Sequence, residues 1–212
     1  MPSFIEQIRE HAFRQAALCR CGFPYALSEQ EIIKAEDRLG FRLPPLLHRL
    51  YLEVADGGFG PGQNPPYPGG IHRLSQSVEF YIRQRSYGPS DKDWEVDEIV
   101  WPEGLLPLCD WGCGRFSSVD CTNAPFPIVH HDAELRENEG GIGTCSSFDD
   151  MRSRLDERGF FAEFGKLYGN SWVVARSLRS WLTAWLTDQE VEIIGYPKTM
   201  RREEDRQLGY ME

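Results

Sequence analysis

The chain has 212 residues, of which 41% are hydrophobic and 26% are charged, and its formal net charge is −10. This composition is that of a globular protein, and no apolar run approaches the roughly 18 to 20 residues that a membrane span requires. The acidic excess argues against a nucleic-acid partner, whose phosphates would repel the chain. It is compatible with a basic protein partner, although acidity also serves solubility.

The first residues of the chain contain no basic segment followed by a long apolar stretch, so no signal peptide is predicted. We therefore expect a cytoplasmic protein that does not associate with membranes. In that compartment the six cysteines are expected to be reduced thiols.

The S-x-x-E pattern of a capping box occurs twice near the start of the chain, and each occurrence predicts the beginning of a helix. The first, at Ser3, predicts a helix over residues 4–18, where apolar residues recur at helical spacing. The second, at Ser28, predicts a helix that ends at Gly40, a residue suited to the left-handed position after a helix.

A third helix is predicted to begin at Pro44 and Pro45, because proline is favoured in the first helical turn. A loop rich in glycine and proline follows over residues 57–70. We expect a short strand at residues 71–74 and a fourth helix capped by Ser75.

The second half of the chain reads as short strands followed by a closing helix. Strands are predicted at residues 105–109, 116–121 and 127–131, and additional helical material at residues 146–170. Apolar residues at i, i+3, i+4, i+7 and i+8 predict an amphipathic helix over residues 178–186. The predicted order of elements places helices first, strands in the middle and a helix after them. This order indicates an α+β architecture.

Three segments, taken in order, resemble the SMI1/KNR4 family of the SUKH superfamily. They are ALSEQEIIKAEDRLGFRLPPLLHRLYLEVADGGFGPG at residues 26–62, LPLCDWGCGRFSSVDC at residues 106–121 and SLRSWLTAWL at residues 177–186. The resemblance implies a single α+β domain with a mostly antiparallel central sheet packed by helices. Asp56 departs from the family pattern, which usually has asparagine at this position.

The resemblance also implies a division of the chain. Residues 1–25 are expected to form an N-terminal helical extension, and residues 26–188 the family domain, with a helical insertion at 146–175. Residues 189–212 are expected to form a C-terminal tail.

What the resemblance implies for function is a non-catalytic protein-binding module. Many bacterial members are immunity proteins that bind and neutralise toxins, often nucleases, and we expect this role here. A regulatory or scaffold role, as in fungal members, is the alternative. A shared fold does not determine function, and an enzyme assembled from distant residues is a third hypothesis.

The cysteines at 109, 113 and 121 are the first candidates for a metal or redox site. Their spacings are C-x3-C and C-x7-C, whereas zinc sites typically use C-x2-C pairs. Gly112 and Gly114 instead favour a hairpin turn, with Cys109 and Cys121 as buried apolar residues on facing strands. We therefore predict structural thiols and no metal.

Other sequence patterns give no catalytic or cofactor prediction. His130, His131 and Asp132 are adjacent, and neighbouring strand residues point to opposite faces, so both imidazoles would rarely reach one ion. The sequence GGFGPG at residues 57–62 follows a helix and runs into prolines, unlike a phosphate-binding loop. The sequence predicts no catalytic residue, no metal site and no cofactor.

Residues 91–103, here called the acidic segment, carry six acidic residues, one lysine and two tryptophans. Aromatic anchors within an acidic rim are suited to a basic partner. The alternative is a solvated loop whose tryptophans turn into the core. The partner contacts that we predict in this segment are Asp91, Asp93, Trp94, Glu95, Asp97, Glu98 and Trp101. The loop around Asp56 and Phe59 is the second predicted contact surface.

Overall fold

The computed structural model describes residues 2–19, 24–61, 70–86, 101–112, 114–132 and 171–187. The helices in these ranges are α1 (Phe4–Cys19), α2 (Glu29–Leu39), α3 (Pro45–Glu53), α4 (Leu74–Ser86) and α5 (Leu178–Leu186). The strands are β1 (Leu105–Gly112), β2 (Arg115–Asp120), β3 (Ile128–Asp132) and β4 (Ser171–Ala175). Within this part of the chain, no helix is both long enough and apolar enough to cross a membrane.

The four strands form one antiparallel sheet in the order β1-β2-β3-β4, so each strand pairs with the next along the chain. Gly112 and Gly114, both with positive φ, lie at the turn between β1 and β2, as the sequence predicts. Helix α4 packs on β1 and helix α5 packs on β4. The α+β prediction with a central antiparallel sheet is confirmed.

Both capping boxes predicted from the sequence form. The backbone N–H of Ser28 donates to the Glu31 carboxylate at 2.8 Å, and the N–H of Glu31 donates to Ser28 Oγ at 3.4 Å. Ser3 and Glu6 exchange the same pair of hydrogen bonds at the start of α1. Such caps satisfy N–H groups that have no partner within the helix, and they therefore fix where each helix begins.

Helix α1 belongs to the same hydrophobic core as the rest of the fold. Its residues Ile5, Ile8 and Ala12 are buried in one cluster with the helices and the sheet. Helix α1 packs against α3 and α5, and the His11 ring meets the Trp185 ring edge to face at a centroid distance of 4.4 Å. The N-terminal extension thus contributes to the core of the domain.

Two details of the predicted secondary structure are wrong. Residues 71–73 are not a strand, and α4 begins at Leu74, one residue before the predicted cap Ser75. Residues 171–175, expected within a helical insertion, form β4 and complete the sheet beside β3. Residues 146–170 lie outside the described part of the chain.

The closing helix generates a stability prediction, because Trp181 and Trp185 are both buried against the core. Replacing either by alanine removes a large apolar side chain and leaves a cavity, which costs about 3 to 5 kcal/mol of unfolding free energy. We expect each variant to lose about 6 to 20 °C in Tm, measured by circular dichroism. Thr183→Ala, at an exposed position of the same helix, is the control and should melt close to wild type. Wild-type melting of both tryptophan variants would contradict the docking of α5.

Candidate functional site

The acidic segment re-enters the described structure at Trp101, which is a core residue. Only 8% of Trp101 is exposed. Its indole Nε1–H donates to the carbonyl of Leu105 at 2.8 Å, and its own carbonyl accepts from Arg85 Nη1 at 2.7 Å. The ring also packs on Phe116 at a centroid distance of 5.6 Å. Trp101 therefore fixes one end of the acidic segment between α4 and the hairpin, as the alternative interpretation expects for the tryptophans.

The other predicted contacts of the acidic segment lie at residues 91–98, outside the described ranges. Glu103, its last residue, is exposed on the turn before β1. The end of the acidic segment thus contains a buried tryptophan, Trp101, and an exposed carboxylate, Glu103.

Residues 55–61, here called the glycine loop, are held by backbone hydrogen bonds. The N–H of Gly58 donates to the carbonyl of Ile71 at 2.8 Å, and the N–H of Ile71 donates to the carbonyl of Phe59 at 2.7 Å. Gly57 has a φ of +77°, and a Cβ at this residue would lie 2.5 Å from the carbonyl oxygens of Ile71 and His72. Only glycine fits this position, so the loop has a defined shape.

The two predicted contacts in the glycine loop have different structural roles. Phe59 is 3% exposed and packs toward Trp185, with ring centroids 6.5 Å apart, so its side chain belongs to the core. Asp56 is partly exposed, and its Oδ1 accepts the N–H of Leu74 at 2.8 Å. Asp56 therefore caps α4 from eighteen residues earlier in the chain, which explains why that helix begins at Leu74.

Tyr25 lies beside the glycine loop and was not identified from the sequence. It is 94% exposed, and its carbonyl accepts the N–H of Asp56 at 3.0 Å. The next hydrogen bond along the segment joins the N–H of Leu27 to the carbonyl of Tyr51 at 2.9 Å. These bonds place the backbone of Tyr25, whose side chain is exposed, next to that of Asp56, and no local sequence pattern indicates this pairing.

Cys109 and Cys121 are buried free thiols. Burial raises the pKa of Cys109 to about 12 and that of Cys121 well above its usual range. Since the thiolate is the nucleophile and the metal ligand, both groups are held in the unreactive form. Cys109 lies on β1 opposite Ser117 of β2, and Cys121 follows β2 directly. Cys113 lies outside the described residues.

His130 and His131 occupy successive positions on β3 with different surroundings. His130 is buried, and its Nδ1 lies 3.2 Å from Ser117 Oγ, which also accepts from Trp111 Nε1 at 2.8 Å. His131 packs on Phe116 at a centroid distance of 4.8 Å. The described residues contain no group of three His, Cys, Asp or Glu side chains that could hold a metal ion.

The Ser117 and His130 pair has the residue types of a nucleophile and a base. Ser117 is 1% exposed, however, and its oxygen is enclosed by Trp111 and His130. A substrate would have no access to this hydroxyl in the folded chain. We conclude that Ser117 and His130 are structural residues, which form a buried hydrogen bond between β2 and β3.

The burial of Cys109 and Cys121 generates a reactivity prediction. In native protein at pH 8 we expect iodoacetamide to leave both residues unmodified, because their thiols stay protonated, and to modify both after unfolding in urea. Peptide mass spectrometry resolves the two sites. Purified protein should contain no stoichiometric zinc, and excess chelator should leave Tm unchanged. Native labelling of Cys109, bound zinc or a large chelator effect would contradict structural thiols.

A comparison with protein-family models matches residues 26–154 to the SMI1 / KNR4 family (SUKH-1). The chain matches no curated protein. The matched residues include α2, α3, α4 and the first three strands, whereas α1, β4 and α5 lie outside the match. More than half of the chain is covered, and the sheet and helices within the match have the expected α+β arrangement. The chain therefore belongs to the SMI1/KNR4 family (SUKH-1).

Proposed function

We propose that this protein is a non-catalytic binding module that neutralises a protein toxin, as an immunity protein. The observation that carries the proposal is membership of the SMI1/KNR4 family, which includes immunity proteins. The burial of Cys109, Cys121, Ser117 and His130 is consistent with a role that requires no chemistry from these residues. Binding alone can inhibit an enzyme by covering its substrate site.

The charge of the protein supports a basic partner. The chain carries a net charge of −10, and the acidic segment contributes −5 of it, from six acidic residues and one lysine. A nuclease binds phosphates with a cationic groove, and an acidic surface can occupy such a groove. Opposite charges also accelerate the encounter of two proteins. We therefore propose the acidic segment as one part of the contact with the toxin.

Trp101 has a positioning role in this proposal. Its ring is fixed by Leu105 and Phe116, and its carbonyl by Arg85. A residue that is already fixed loses less conformational entropy when a partner binds beside it than a free one does. Asp91, Asp93, Glu95, Asp97 and Glu98 would act as acidic contacts and Trp94 as an aromatic anchor.

The proposal is tested by protection against a toxin. Each secreted toxin domain encoded beside the gene for this chain is expressed in a test bacterium with and without the chain, and growth is measured. We expect one toxin to be neutralised and its inactivated form to bind the purified chain with a one-to-one stoichiometry. Binding of a neighbouring protein without protection would favour the regulatory or scaffold role instead.

The acidic segment generates a kinetic prediction for the complex with that toxin. Neutralising Asp93, Glu95 and Asp97 with the matching amides should lower the association rate at low salt. The loss should shrink as salt rises, because screening shortens the range of charges to about 8 Å at physiological ionic strength. Trp94→Ala should instead accelerate dissociation. If the ring is a hot spot, its loss should weaken the binding free energy by about 2 kcal/mol or more. Stopped-flow or surface-plasmon measurements at two salt concentrations separate these effects.

The matched control neutralises Glu10, Asp37 and Glu79, which are exposed on α1, α2 and α4. It changes the net charge by the same amount at positions that are not part of the acidic segment. Equal association rates for the two triple variants would assign the effect to total charge and place the contact elsewhere.

A further inference from the structure

Tyr25 is an exposed aromatic residue on a fixed backbone. It is 94% exposed, whereas the other large exposed apolar side chains in the described ranges, including Ile33 and Ile82, are at most half exposed. Isolated apolar residues on a surface are common and carry little information by themselves. Tyr25 differs because hydrogen bonds from Asp56 to its own carbonyl and from Leu27 to Tyr51 fix the segment that carries it.

The surface next to Tyr25 is fixed as well. The N–H of Gly58 donates to Ile71, and the Asp56 carboxylate is held at 2.8 Å from the N–H of Leu74. Gly58 is exposed, and the Pro24 ring lies beside it: a Cβ built on Gly58 would be 3.4 Å from Pro24 Cδ. Tyr25, Asp56 and the exposed Gly58 therefore lie on one stretch of fixed backbone. A surface patch of this kind loses little entropy when a partner binds.

The two segments that form this patch are acidic. Residues 24–33 and 51–61 contain four acidic residues and neither lysine nor arginine. The four are Glu29, Glu31, Glu53 and Asp56. Glu53 already pairs with Arg49 at 2.6 Å, and Glu29 lies 3.0 Å from His48 Nε2. Asp56 and the exposed Glu31 are instead hydrogen-bonded to uncharged groups, the N–H of Leu74 and Ser28. The patch is thus suited to cationic side chains, which can meet both an aromatic ring and carboxylates.

We infer that Tyr25, Asp56 and Gly58 form a docking surface for a basic segment of a protein partner, with Tyr25 as its aromatic anchor. The inference rests on the proposed function for the basic character of the partner and adds a second contact surface to the acidic segment. Lysine or arginine side chains of the partner contact the Tyr25 ring and the neighbouring carboxylates. The exposed glycine lets the partner backbone approach closely.

The test uses a capped hexapeptide of alternating glycine and arginine as the probe, and its glutamate counterpart as the charge control. Both are titrated at low salt into isotope-labelled full-length protein and followed by NMR. We expect the arginine peptide to shift the amide signals of Tyr25, Gly57 and Gly58, and the glutamate peptide to leave them unchanged. Tyr25→Ala and Asp56→Asn should each weaken binding at this patch about two- to fivefold, and Tyr25→Phe should retain it.

Matched variants separate the patch from general effects. Ile82→Ala also truncates an exposed apolar side chain, and Asp37→Asn also removes one exposed charge, both away from the patch. The side-chain oxygen of asparagine at position 56 can still accept the N–H of Leu74, so the helix cap and Tm should be preserved. Equal weakening by the control variants would overturn the inference.

Peptide shifts confined to residues 91–103, or no shifts at all, would also overturn the docking surface. The toxin assay distinguishes this result from failure of the proposed function. If Tyr25→Ala and Asp56→Asn both protect fully and bind the toxin as tightly as wild type, the docking surface is wrong. The proposed immunity role would be unaffected by that result. Peptide binding at the patch without protection by the wild-type chain rejects the immunity role alone.

Discussion

The hydrogen bonds of Ile71 and His72 join the helical half of this fold to its sheet. The carbonyl of Ile71 accepts from Gly58, and its N–H donates to Phe59, so one residue holds the glycine loop. The N–H of His72 donates to Leu108 of β1, and its carbonyl accepts from the Tyr51 hydroxyl of α3. Buried polar groups need hydrogen-bond partners, and these two residues supply them to backbone groups of the glycine loop and β1 and to the Tyr51 hydroxyl of α3. The shape of the glycine loop and the start of α4 both depend on it.

Features set by neighbouring residues could be predicted from the sequence. The capping boxes at Ser3 and Ser28, the left-handed Gly40 and the hairpin glycines depend on contacts within a few positions. The amphipathic pattern of the closing helix likewise identified its buried tryptophans. These signals are strong because the interactions that create them are local.

Features set by distant residues could not be predicted in the same way. Strand β4 contains the strand-favouring residues Trp172, Val173 and Val174, but its place at the edge of the sheet is set by pairing with the distant β3. The start of α4 was misplaced because its cap comes from Asp56, across the glycine loop. For the candidate site, the sequence identified Asp56 as a loop residue, but the burial of Phe59 and Trp101 and the exposure of Tyr25 depend on tertiary packing.

The contact between α1 and α5 has a consequence for folding during synthesis. His11 on α1 packs against Trp185 on α5, so α1 is synthesised well before one of the helices that it packs against. Domains generally fold as units as the chain emerges, and apolar surface that stays exposed promotes aggregation. Until α5 is made, the apolar face formed by Ile5, Ile8 and Ala12 lacks part of its cover. A ribosome stalled before residue 178 would therefore present a nascent chain that chaperones must shield.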